Sequence, residues 1–74
     1  MKEKYYLEII EILTEEESLE KQPQIIRIEV ESEEEAKKLL PQYEPLFAGK
    51  NYVKQLHICR HSLKGNKPCE VKSL

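Results

Sequence analysis

The sequence predicts a small α+β domain, a four-stranded sheet with one covering helix in the order ββαββ. Three observations predict it. The chain has 74 residues, room for one domain spanning 1–74. Strand-like runs recur at 5–13, rich in β-branched and aromatic residues, at 26–30 and at 52–62, and a last one at 68–73 follows a hairpin signal. One stretch after Ser32 carries apolar residues at helical spacing instead. A chain this short buries roughly 60% of the surface its unfolded form exposes. Rossmann, TIM-barrel and kinase architectures need far more chain. Hydrophobic residues make up 39% and charged residues 35%, which is polar but too rich in Ile, Leu, Val and Tyr for a disordered chain.

The first strand is expected at 5–13. Strict alternation fails at Ile9-Ile10, and one bulge there would place Leu7, Ile9 and Ile12 on one face and Glu8 and Glu11 on the other. A helical stripe of Tyr6, Ile9, Ile10 and Leu13 competes, but the β-branched content favours a strand. Residues 14–22 read as a polar, Glu-rich connector ending at Pro23. Ile26, Ile28 and Val30 then alternate with Arg27, Glu29 and Glu31, the pattern of a strand with one buried and one wet face.

Ser32 with Glu35 three residues on is a capping box, and three carboxylates in the first turn suit the helix dipole. Ala36, Leu39, Leu40, Tyr43 and Phe47 form the inward stripe. Pro41 lacks the amide that would bond to Lys37, so a kink or break is expected there; Gly49 is the stop signal. Leu56 and Ile58 should point the same way on the third strand. Gly65-Asn66 is a two-residue hairpin signal, and Pro68 marks the fourth strand as an edge. Two hairpins flanking a helix also describe the β-grasp arrangement, an analogy from element order alone; no family motif accompanies it.

Charge is unevenly spread. Residues 1–35 hold twelve Glu against four cations, a net of −8, and residues 36–74 hold eight cations against two Glu, a net of +6. Such halves can pair within one fold or between copies, or present a basic face to a partner. All fourteen acids are Glu, and the Glu/Lys bias is that of thermophilic proteins. The two cysteines, Cys59 and Cys69, are fewer than a small secreted domain uses. Glu8 and Glu11 interrupt the first apolar run, so a signal peptide or membrane span is not expected. The chain reads as cytoplasmic.

The densest reactive cluster is His57-x-Cys59-x-His61, three side chains on one strand face. His57 and His61 lie about 13 Å apart along a strand, too far for one ion, so no metal site is expected. A Gly65-Asn66 turn would set Cys59 opposite Lys72 and His61 opposite Glu70, and would leave Cys59 and Cys69 on opposite faces as two separate thiols. Cys59 with His57 and His61 remains a candidate site for a soft ligand, a thiophilic metal or a selenium species. Lys54, Arg60, Lys64, Lys67 and Lys72 cluster toward the C-terminal hairpin and form a candidate nucleic-acid surface, opposed by the acidic first half. No phosphate-binding glycine loop and no Ser-His-Asp set is present, since the chain has two glycines and no Asp. No cofactor is implied.

The sequence is therefore read as a non-enzymatic binding or adaptor module that associates with itself. The open sheet face should carry Tyr5 or Tyr6, Ile25 and Cys59, rimmed by Arg27, Glu29 and the histidines. Soft-ligand binding at Cys59 is the first alternative and nucleic-acid association the second.

Overall fold

The computed structural model describes residues 3–60 and 69–74. Strands β1 (Lys4–Glu11), β2 (Ile25–Val30), β3 (Tyr52–Cys59) and β4 (Glu70–Ser73) form one sheet in the order β2-β1-β3-β4. Every neighbouring pair is antiparallel. Helix α1 (Glu15–Glu20) lies between β1 and β2; helix α2 (Glu33–Tyr43) and a short 3-10 turn (Glu44–Phe47) lie between β2 and β3. The α+β class and the single covering helix agree with the expectation, and element order alone had left the strand order open.

β2 and β3 both run antiparallel to β1 and so run parallel to each other. Their connection must cross over β1, and α2 is that crossover. Its inward stripe is the expected one: Ala36, Leu40 and Phe47 are buried, and Leu39 and Tyr43 pack against them. From the sheet come Leu7 and Ile9 of β1, Val30 of β2, and Leu56 and Ile58 of β3. The Ser32 hydroxyl accepts the Glu35 amide at 3.2 Å and starts α2 where its sequence predicts.

Four expectations need correction. First, β1 carries no bulge. It pairs residue for residue with β2 and β3, so Ile9 faces the core while Ile10 and Glu8 face the other side. Glu11 then falls on the core side at the sheet's end. It is 6% exposed and accepts the Gln24 amide at 3.0 Å, with Lys21 and Lys50 close by. Second, the connector at 14–22 holds α1. Thr14 and Glu17 make a reciprocal capping box there, a signal as legible as the one at Ser32. Third, α2 does not break at Pro41 but runs through it to Tyr43 and gives way to a 3-10 turn. Pro41 and Lys37 lie on the exposed side, where water can take up the carbonyl that the proline leaves without a donor. Fourth, β4 sits three positions from the expected register: Ile58, not His61, lies opposite Glu70, and Leu56, not Cys59, lies opposite Lys72. This register lays β4 along the buried part of β3 and brings Leu74 onto the core. The Gly65-Asn66 turn itself lies outside the described residues.

Gly49 ends the turn with a φ of +78°, a conformation that favours glycine. Among the described residues, no helix is long and apolar enough to cross a membrane.

Two outcomes follow. Ser32→Ala should cost about 0.5–2 kcal/mol in denaturant unfolding. An unchanged midpoint would mean the cap does not anchor α2. The second concerns Glu11. The Gln24 amide, with Lys21 and Lys50 behind it, outweighs burial and holds this carboxyl below the usual carboxylate range. A lowered folded-state value contributes stability that is complete above that range and lost as pH falls through it. Glu11→Gln should therefore lower stability at neutral pH and flatten the acid limb of unfolding free energy against pH; an acid limb as steep as wild type's would refute it.

Candidate functional site

The side of the sheet away from α2 is uncovered. The strand registers arrange its side chains in rows. Ile25, Ile10 and Val53 make one row across β2, β1 and β3. Arg27, Glu8, Gln55 and Ser73 make the next, and Glu29, Tyr6, His57 and Val71 the third. Lys4 and Cys59 begin a fourth, and continuing the β3–β4 register by one rung adds Cys69 to it.

Glu8 is the centre of this face. It stands on the middle strand with neighbours on both sides, and only 8% of it is exposed. An isolated buried carboxylate is costly, and a partnered one is tolerated. Gln55 donates to one oxygen at 2.7 Å. The other oxygen meets His57 Nδ1 at 3.1 Å and Arg27 Nε at 3.2 Å. The Arg27 guanidinium also lies 4.3 Å from the centre of the Tyr6 ring, which packs edge-on to His57. The five side chains interlock, and the cluster's charge is largely settled within itself.

A carboxylate holding one nitrogen of a histidine is the outer part of an activated-nucleophile arrangement. The inner part is missing. His57 Nε2 is buried and makes no hydrogen bond, so neither Cys59 nor any other described group is engaged by it. Among the described residues, no group of three or more His, Cys or Glu is placed to hold a metal ion.

The structure places the expected site residues as follows. His57 and Cys59 share the open face, and His61 lies outside the described residues. Cys59 is across from Lys4, not Lys72. The β3–β4 register, continued one rung past Ile58–Glu70, would set Cys69 on the face of Cys59, not on the opposite one. Tyr6 is on the open face, whereas Tyr5 packs against the core. Arg27 stands on the edge strand β2 and reaches inward to Glu8 on β1. Lys54, Arg60 and Lys72 lie on the helix side, each beside a carboxylate. Lys54 is 3.5 Å from Glu44 and Lys72 is 3.7 Å from Glu33. Arg60 bridges Glu3 and Glu70. Lys64 and Lys67 lie outside the described residues.

Arg60 and Lys72 also line a cleft of about 320 Å³ between the start of α2 and the β3–β4 edge. Glu3, Glu31, Glu33 and Glu70 line it too, so its acids outnumber its bases. Lys54 is held on the same side near a Tyr52–Glu44 hydrogen bond of 2.6 Å. The Tyr52 hydroxyl, with Lys54 beside it, outweighs burial and holds the Glu44 carboxyl below its usual range.

Sequence reading missed Glu8, Gln55 and Arg27 as a cluster. The signal was a lone carboxylate inside an apolar strand, read as a solvent-side residue. What identifies it is its position on the central strand. Comparison with known proteins adds no relative: no family model matches the chain, and neither a curated protein nor a solved structure matches it.

Glu8→Ala should cost about 1–3 kcal/mol, because it strands a partly buried histidine and amide. Arg27→Ala should cost less, under about 1 kcal/mol, since its side chain is half exposed. Denaturant unfolding of the two variants checks the order, and a reversed order would make Arg27 the anchor of the face.

Proposed function

We propose that the protein is a small, non-enzymatic binding module whose open sheet face docks a second copy of itself. The observation that carries this is a set of exposed β-branched residues on a face that no helix covers. Ile25 is 59% exposed, Val53 41% and Val71 53%, one on each of three strands. The half-buried Ile10 joins the first two into a continuous row.

Two flat sheets can pack face to face about 10 Å apart with such residues between them. A two-fold pairing would use the same rows on both copies. A domain this small, with eight buried hydrophobic residues among those described, gains proportionally from a second layer. The central charges do not oppose the contact, because Glu8 is already matched by Arg27 and held by His57 and Gln55. The driving term is therefore apolar burial, and association should survive high salt.

The non-enzymatic reading is supported by the Glu8–His57 pair, whose Nε2 makes no hydrogen bond to a nucleophile among the described residues. A cytoplasmic location is supported by the low cysteine count. The Glu-rich ion pairs that join the two halves of the chain support a thermophilic origin.

Sedimentation equilibrium at micromolar concentration tests the module reading. The expected mass is twice 8.8 kDa, at low and high salt alike. Val53→Glu should return the protein to the single-chain mass with its circular dichroism unchanged. A wild-type protein that stays at 8.8 kDa throughout would overturn the proposal.

A further inference from the structure

The β3–β4 register brings together the chain's two cysteines. Ile58 lies opposite Glu70, so the next rung sets Cys59 opposite Cys69. His57 and Val71 lie opposite each other two positions back from the cysteines, and side chains two apart share a face. Both sulfurs therefore belong to the open face, and both residues are partly exposed.

The hydrogen-bonding phase of the ladder fixes their spacing. The Leu74 amide donates to the Lys54 carbonyl at 3.2 Å, which makes that opposed pair a hydrogen-bonded one. Bonded and non-bonded pairs alternate along an antiparallel ladder. The 56–72 and 58–70 pairs are then bonded, and the 55–73, 57–71 and 59–69 pairs are not. Non-bonded pairs bring their Cα atoms to about 4.5 Å with side chains leaning together. A disulfide accepts Cα separations of about 4.4–6.8 Å.

We propose that Cys59 and Cys69 are a cross-strand dithiol that closes to an intramolecular disulfide by exchange with a small-molecule disulfide, such as oxidised glutathione. One cysteine thiolate attacks a sulfur of the oxidant. The oxidant's S–S bond breaks, one thiolate leaves, and a mixed disulfide remains on the protein. The second cysteine thiolate attacks the protein sulfur of that mixed disulfide and expels the other half. The protein loses two protons and two electrons, and the oxidant becomes two thiols. The new bond ties β4 to β3 at its start and closes the chain across 60–68. Cross-linking of this kind stabilises chiefly by restricting the unfolded chain. The proposal does not depend on the dimer reading, since the bond lies within one chain.

The test equilibrates the whole protein in glutathione buffers of graded ratio, quenches with an alkylating agent under denaturing conditions and weighs the products. The expected product under oxidising buffer is a single chain two hydrogens lighter and unalkylated. Its melting temperature should be higher than the reduced form's by something on the order of 10 °C. Cys59→Ser and Cys69→Ser should each give only a glutathione adduct. Phenylarsine oxide, a reagent for neighbouring thiols, should bind the reduced wild type one to one and neither variant. Two alkylatable thiols persisting where a control dithiol is fully oxidised would overturn the proposal, as would a disulfide found only between chains. An oxidised single chain that melts no higher than the reduced one would overturn the register on which it rests.

Discussion

Strand β1 is hydrogen-bonded along both edges for nearly its whole length, to β2 on one side and β3 on the other. That double pairing sets the terms for the rest of the domain. A strand paired on both edges without a bulge keeps strict alternation, so Leu7 and Ile9 go inward while Tyr6, Glu8 and Ile10 go outward. It also separates β2 from β3, so the chain between them has to pass over β1. The segment that passes carries Ala36, Leu40 and Phe47, and these fill the space above Leu7 and Ile9. The core is thus a helical crossover laid on one central strand.

The same pairing explains how a carboxylate comes to be nearly buried on a face without a covering layer. Glu8 stands between Arg27 and Gln55, with His57 two positions along β3. Neighbouring side chains, not a second layer, remove it from water. They also supply the donors that make its burial tolerable. Such a cluster gives the face a rigid polar middle flanked by Ile25, Val53 and Val71. The face can therefore meet another surface through apolar contact without first breaking an ion pair.

Charge follows a similar logic. The first half of the chain is acidic and the second basic, yet the fold interleaves them. Arg60 reaches Glu3, Lys72 reaches Glu33 and Lys50 reaches Glu11. An asymmetry along the sequence is much reduced in space. The basic residues of β3 and β4 that are described lie on the helix side beside carboxylates, rather than spread over the open face.

Features held by interactions within one turn or along one strand were legible in the sequence. The Ser32 cap, the stripe from Ala36 to Phe47 and the alternation from Ile26 to Val30 all need only neighbouring residues to specify them. The Thr14 cap is equally legible, but the helix that follows it buries nothing and so carries no apolar stripe to mark it. Sheet register is different, because it is a contact between distant segments chosen by the packing of the whole. A Gly-Asn pair proposes a turn, but burial of Leu56, Ile58 and Leu74 decides where β4 lies along β3. Side chains alternate with a period of two, so an odd shift in register exchanges the faces. A shift of three positions sets Lys72 on the helix side opposite Leu56, and Val71 on the open face opposite His57. The sequence by itself determined which segments are strands and helices and which residues are apolar. Only the tertiary structure decided which of them meet, as Glu8 does with Arg27 and His57.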